Sequence, residues 1–278
     1  MALVTFSKIA VAYNNLVNPS TVSSVTQVNI PVVEGGFPLS NLEYEDPWTM
    51  LRTASVTVTW DIIHTFTSSV GPMVLGIINH NLWSTGHSTV NVRYFSGSWV
   101  SIGTISLASD SDIIIPWDNV VSSTQWKFTS SAPGNPNFYI GSVFYGSYRQ
   151  FDRNPMPAGI RQTVESNIIT ETSAGGARHV SFGSKRRVAS YEIAWDRTTI
   201  ADRNFFQQLP TITDPTYLQS ALIGIYPPEH GDLVSATDGG SPLFFGYISS
   251  IDDSPRGPGM HLTGQPARYD MVVHLMGA

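Results

Sequence analysis

Three aspartates form the one grouping of residues in the sequence that suits a metal ion. Asp110 and Asp112 are separated by a single serine, and Asp118 follows six residues after Asp112. Hard cations such as Ca²⁺ prefer several oxygen ligands, which carboxylates supply. The alternative is that these side chains lie in solvent just before the apolar run Ile113–Ile115. We favour the alternative, because a full ligand set is not evident, and we expect no metal and no cofactor.

The motifs of common enzyme classes are absent from the sequence. It has no Walker-type glycine loop, no dinucleotide-binding glycine triplet, no Gly-x-Ser-x-Gly elbow and no His-Glu-x-x-His pair. It has no cysteine, which excludes thiolate nucleophiles, thiolate metal sites and disulfides. The seven histidines are scattered, and the spacing of His80 and His87 does not suit zinc. We therefore predict that the protein has no catalytic residues.

The charge balance argues against nucleic acid as a partner. The formal net charge is −6, and Lys185-Arg186-Arg187 is the one basic run, which we interpret as the solvated start of a hairpin. Charged residues make up 13% of the chain and apolar residues 41%. So low a share of charged residues beside this apolar content favours a protein that is a subunit of a larger assembly.

Aromatic side chains are the remaining candidates for binding. Trp83, Trp99 and Trp117 fall near predicted loops, and Phe151 falls in a predicted linker. Aromatic residues are frequent anchors in protein interfaces. For any one of the tryptophans, packing in the core or against another chain has more weight than binding a ligand. We predict these four residues as the ligand or interface candidates.

The elements that must position these residues are strands. Val56, Val58, Trp60 and Ile62 alternate with polar residues, so they face one side of a strand. Many short segments of this kind, separated by turn residues, indicate an all-β sandwich or barrel. Further predicted strands are Met73–Ile78, Thr89–Phe95, Trp99–Leu107, Asp112–Pro116, Gln125–Thr129, Phe138–Tyr145, Ile160–Val164, His179–Phe182, Arg186–Trp195, Ala221–Tyr226, Leu243–Ile251 and Arg268–Met276.

The strand pattern breaks between residues 148 and 157, where Pro155 and Pro157 stand two residues apart. We predict a linker there, with one domain at residues 1–150 and a second at 158–278. One helix is predicted at 200–209, with Thr198 or Thr199 as its cap and Pro210 as its end. The predicted fold class is all-β with two β-sandwich-like domains, the second containing one short helix.

A series of segments in the first half carries a family resemblance. Its members, in order, are Phe37-Pro38-Leu39-Ser40-Asn41-Leu42, Trp48–Thr53, the strand Val56–Ile62, Val74–Leu82 and Val90–Tyr94. This series, over about residues 30–145, resembles the N-terminal galactose-binding-like (discoidin-type) jelly roll of tailed-bacteriophage structural proteins. The order of elements in the second half resembles the companion domain of minor tail proteins. The resemblance implies that the first domain is a jelly roll.

The resemblance also implies a function, namely a non-catalytic structural component of a phage virion in the tail tip or baseplate. Its partners would be other tail proteins and copies of itself in a symmetric ring, after synthesis in the host cytoplasm. The alternative is a carbohydrate-binding or host-receptor-binding module, in which Trp83, Trp99 or Trp117 meets a surface glycan. A third hypothesis is a hydrolase with an unrecognised active site, but fold alone does not support it. No apolar run approaches the roughly 20 residues of a membrane helix, no signal peptide is evident, and we expect no membrane insertion.

Overall fold

The structure of the 278-residue chain is a computed structural model. It describes residues 2–4, 6–30, 32–44, 49–55, 59–131, 137–152, 160–172, 178–212, 222–226, 241–255 and 268–277. Beyond residue 152, the described side chains are those of 192–195, 198–209, 251, 252 and 271. The chain divides into two compact units, which are Met1–Phe151 with Thr211–Phe245, and Asp152–Pro210 with Gly246–Ala278.

The first unit is an antiparallel β-sandwich of the jelly-roll type. Its strands are β1 (Ala10–Tyr13), β2 (Val22–Val28), β3 (Val32–Val33), β4 (Leu51–Ser55), β5 (Thr59–Val70), β6 (Val74–His80), β7 (Thr89–Phe95), β8 (Trp99–Ser106), β9 (Ile113–Pro116), β10 (Ser123–Ser131) and β11 (Tyr139–Gln150). A further strand of this unit, β14 (Leu222–Tyr226), comes much later in the sequence. One sheet has five strands in the order β2-β5-β10-β7-β8. The facing sheet contains β14-β1-β11-β4-β3, and β6 joins it by pairing with both β11 and β9.

The core lies between these two sheets and is built from alternate residues of each strand. On β5, Trp60, Ile62 and Phe66 are buried, as the alternation predicts. They pack in one cluster with Ile77 of β6 and Tyr145 of β11, from the facing sheet. Full burial of one such large side chain stabilises the fold by about 1.5–3 kcal/mol.

The facing sheet is also covered on its outer side. Strand β6 is buried along nearly its whole length because Val74 and Ile78 contact a second apolar cluster that includes Phe6 and Ala10. The N-terminal segment therefore shields this sheet from solvent. The candidate site lies on the outer side of the five-stranded sheet, which carries long side chains of the sheet itself.

The described part of the second unit contains one antiparallel sheet and one helix. The strands β12 (Ile160–Thr172), β13 (Arg178–Thr199), β15 (Ser241–Pro255) and β16 (Arg268–Gly277) pair in the order β12-β13-β16-β15. Helix α1 spans Ile200–Ile212. The hydroxyl of Thr199 accepts the Asp202 N–H at 3.1 Å, so Thr199 is the cap. Phe206 packs against Trp195, with ring centroids 5.5 Å apart.

The all-β prediction with one short helix is confirmed, and most predicted strands are present within a few residues. Three features differ. Strands β1, β2, β3 and β4 were missed, because short or mostly polar segments show little alternation. Helix α1 continues past Pro210, since a proline in the last turn removes only one backbone donor. Finally, β14 pairs with β1, so a segment from the second half of the sequence belongs to the first unit.

Candidate functional site

The outer side of the five-stranded sheet carries a group of polar and aromatic side chains. On β7, the residues Asn91, Arg93 and Phe95 alternate with core residues and therefore point outward. Arg93 stands between Lys127 of β10 and Ser101 of β8 in the strand register. We call this surface the Trp99 face, and it consists of Asp61, Asn91, Arg93, Phe95, Trp99, Lys127 and Thr129.

An ion pair lies at the centre of the Trp99 face. Lys127 Nζ is 2.7 Å from Asp61 Oδ2, and the two side chains are only 7% and 17% exposed. The Thr129 hydroxyl donates to the other carboxylate oxygen of Asp61 at 2.6 Å. Desolvating two charges costs several kcal/mol per ion, which good geometry offsets only in part. The pair therefore adds less net stability than its geometry suggests, and its effect is to hold the lysine ammonium in one place.

The ammonium in turn positions Trp99. Lys127 Nζ lies over the indole, 4.5 Å from the ring centroid. The Phe95 ring also contacts the indole, with centroids 5.4 Å apart and planes at 67°. Trp99 remains partly exposed and Phe95 is 39% exposed. Because the ammonium contacts one face of the indole, a ligand that stacks on Trp99 has to use the other face.

Asn91 orients the arginine beside this platform. Its side-chain nitrogen donates to the Ser101 hydroxyl, the Gly103 carbonyl and the Thr104 hydroxyl at 2.9, 3.1 and 2.5 Å. Its side-chain oxygen accepts a hydrogen bond from Arg93 Nε at 2.7 Å. The guanidinium is thus fixed through Nε, and its two terminal nitrogens point away from this bond.

Trp83 lies at the other end of the sandwich. It is 45% exposed, on the turn between β6 and β7. The neighbouring Ser84 N–H donates to Asp110 Oδ1 at 3.0 Å. Strand β7 runs from this end to the end at which Trp99 lies, a span of about 20 Å. Trp83 and Trp99 therefore do not share a site.

The prediction that Trp117 and Phe151 supply exposed aromatic surface is wrong for both side chains. Trp117 is fully buried and stacks on Trp126, with centroids 5.6 Å apart. Phe151 is 2% exposed, and its N–H donates to the Ile9 carbonyl at 3.0 Å. Each follows a buried strand that carries it into the interior, which local sequence does not reveal.

The three aspartates do not come together. Asp112 is half-buried and accepts the Asn79 N–H at 2.7 Å, and burial raises its pKa to about 6. Asp118 lies at the opposite end of β9, where it accepts the Ala2 N–H at 3.0 Å. Within the part of the chain that the structure describes, no three side chains of the metal-binding types form a group. Asp110 and Asp112 instead fix neighbouring turns, so the prediction that Asp112 lies in solvent is also corrected.

The histidines of this unit serve the fold. His87 Nε2 accepts the indole N–H of Trp60 at 2.8 Å, inside the core. His80 Nδ1 accepts the Leu82 N–H at 3.2 Å, and its other ring nitrogen is 2.8 Å from the Ser111 carbonyl. His80 thus closes its strand by side-chain bonds to the backbone, and Asn81 Oδ1 beside it accepts the Tyr139 N–H at 2.7 Å. Desolvation lowers the pKa of His80 to about 4 and also lowers that of His87.

The sequence predicts Trp99 as a candidate, but it does not predict the residues that surround Trp99 in the structure. Period-2 alternation on β7 already places Asn91, Arg93 and Phe95 on one side, so that part was detectable. The pairing of Asp61 with Lys127 was not, because 66 positions separate the two residues.

No protein-family model matches the sequence, and no curated protein matches it. Solved structures that resemble parts of the chain are described as carbohydrate-binding modules. The family 32 module of NanJ from C. perfringens, solved with galactose, has a TM-score of 0.40 at 11% identity, covering 49% of this chain and 99% of the module. A chitosan-binding module from a chitosanase/glucanase of Paenibacillus sp. IK-5 has a TM-score of 0.39 at 13% identity, covering 47% and 97%. A pectin-binding module has a TM-score of 0.36 at 13% identity, covering 45% and 91%.

Over the described residues, no helix combines the length and the apolar character needed to span a bilayer.

Proposed function

We propose that the first unit is a non-catalytic carbohydrate-binding module that stacks a sugar ring on Trp99. The observation that carries the proposal is the indole held between the Lys127 ammonium and the Phe95 ring, at the surface of the five-stranded sheet. A sugar ring has an apolar C–H face, which an aromatic ring covers, and hydroxyls at its rim, which polar neighbours bind. Asn91 and Arg93 are such neighbours on the same face.

The Trp99 face suits binding better than the Trp83 turn does. Trp99 is already held by a cation and a second ring, so less side-chain freedom is lost when a ligand stacks on it. Trp83 has neither contact among the described residues, so a ligand that stacks on it must also order its side chain. The proposal therefore assigns binding to Trp99 and leaves Trp83 as the matched control.

Replacing Trp99 with alanine is expected to weaken glycan binding at least 30-fold, as for the loss of a central aromatic anchor. The measurement is titration calorimetry of the full chain against galactose-terminated oligosaccharides, chitosan and pectin. Trp83→Ala removes an equally large and more exposed tryptophan and is expected to leave affinity within twofold. Unchanged far-ultraviolet circular dichroism and a cooperative melting transition check that each variant folds. Loss of binding in Trp83→Ala, with Trp99→Ala unaffected, contradicts the proposal.

The position in a phage tail tip or baseplate, with other tail proteins or symmetric copies as partners, stays a prediction from the sequence resemblance. A glycan-binding module on a virion satisfies both hypotheses, so the two do not exclude each other. The test is purification of intact particles, in which a tail component is expected at a fixed, symmetric copy number. Absence from purified particles contradicts the virion placement and leaves the glycan proposal standing.

A further inference from the structure

The Trp99 face carries one positive charge that nothing on the face compensates. Its charged residues are Asp61, Lys127 and Arg93, and the first two neutralise each other at 2.7 Å. A second ion pair, Arg52 with Glu34, lies elsewhere in the unit. The chain as a whole has a formal net charge of −6, so an uncompensated arginine here runs against the overall balance.

The terminal nitrogens of Arg93 are suited to bind a planar, anionic group. Arg93 Nε is taken by Asn91, which is itself held by three further hydrogen bonds. The terminal nitrogens of Arg93 make no hydrogen bond and no ion pair with any residue that the structure describes. A guanidinium fixed at Nε presents two parallel N–H donors, the geometry that binds a carboxylate through both oxygens.

The position of Arg93 relative to Trp99 places this donor pair at the edge of the platform. Arg93 pairs with Ser101 in the register, and Phe95 pairs with Trp99. The guanidinium and the indole therefore occupy neighbouring rows of the same face, about 7 Å apart along the strand. A charged substituent on a sugar ring that stacks on Trp99 reaches Arg93 without leaving the indole.

We infer that the Trp99 face selects glycans whose sugars carry an anionic group, with Arg93 as the residue that binds it. The inference rests on the proposed glycan function and deepens it. A carboxylate, as in uronic acids, matches the two-donor geometry of Arg93, and a sulfate ester offers the same charge with different oxygen geometry. Arg93 is then a specificity residue, while Trp99 supplies affinity for charged and neutral sugars alike.

The test compares two matched pairs of polymers against the full chain. The first pair is polygalacturonate and fully methyl-esterified pectin, which differ in the carboxylate charge. The second is a sulfated galactan and the same galactan after desulfation. We expect the native protein to bind polygalacturonate roughly 10-fold or more tightly than its ester, as for loss of a charged hydrogen-bond pair. A preference for the sulfated galactan alone assigns the anion as sulfate and overturns the carboxylate assignment.

Variants of Arg93 complete the design. Arg93→Gln is expected to remove the preference for the anionic polymer, so that the variant binds polygalacturonate and its methyl ester with affinities within twofold of each other. Arg93→Lys keeps the charge without the donor pair and is expected to retain only part of the preference. Lys8→Gln removes one exposed positive charge elsewhere and is expected to leave the preference unchanged. Melting curves check that the variants fold.

The outcomes separate this inference from the proposed function. Equal affinity of the native protein for both members of each pair, with binding still lost in Trp99→Ala, overturns the inference and keeps glycan binding. A charge preference that persists in Arg93→Gln overturns the role of Arg93. Failure of the native protein to bind any polymer of the panel overturns both.

Discussion

Replacing Asp61 with alanine is expected to lower the free energy of unfolding of the first unit by about 3–5 kcal/mol. The change leaves the Lys127 ammonium, 7% exposed, without its counter-ion in the interior of the Trp99 face. It also removes the acceptor of the Thr129 hydroxyl. Denaturant unfolding of the full chain, followed by tryptophan fluorescence, measures the loss.

A double-mutant cycle provides the control for this prediction. Asp61→Val with Lys127→Met replaces both charges by apolar side chains, and we expect it to recover most of the stability lost in Asp61→Ala. The recovered protein is nevertheless expected to bind glycan more weakly, because Trp99 has lost the ammonium that positions it. Strictly additive single and double changes contradict a coupled pair.

Acidification from pH 7 to pH 4 is expected to cost the first unit about 3 kcal/mol of stability. Burial lowers the pKa of His64 and of His80 to about 4, against 6.5 for an unperturbed histidine. As the pH falls from 6.5 to 4 the unfolded chain binds these protons before the folded chain does. Stability is therefore lost over that window, by about 3 kcal/mol for each histidine.

One carboxyl group opposes this loss. The pKa of Asp112 is raised from 3.8 to about 6, so the folded state binds its proton first between pH 6 and pH 4. That contribution is favourable at low pH and offsets about 2 kcal/mol of the histidine loss. The net loss of about 3 kcal/mol counts His64, His80 and Asp112, and His87 adds to it because burial lowers its pKa as well. Denaturant unfolding at a series of pH values measures the slope.

Two variants test the assignment of the pH dependence. His64 is fully buried, and neither ring nitrogen has a hydrogen-bond partner, although the nearby Leu42 backbone offsets a small part of the shift. His64→Leu is expected to remove about half of the histidine contribution and to flatten the slope. Asp112→Asn removes the opposing group and is expected to steepen it. A stability that does not change between pH 7 and pH 4 in the native protein refutes the assignment.

The sequence by itself determined the features that depend on neighbours a few positions apart. Alternation of side chains has a period of two, so the buried side of β5, with Trp60 and Ile62, was correctly predicted. The same rule separates Asn91 and Arg93 from the core residues of β7. The cap of α1 at Thr199 is equally local, because a capping hydroxyl bonds within the first turn of its own helix.

Only the tertiary structure decided which of these outward residues meet. Asp61 and Lys127 are 66 positions apart, and β14 pairs with β1 across more than 200 positions. Such contacts depend on which strands become neighbours when the chain closes, and strand periodicity carries no information about that choice. The same reason explains Trp117, which stacks on Trp126 in the core although the sequence places it beside a loop.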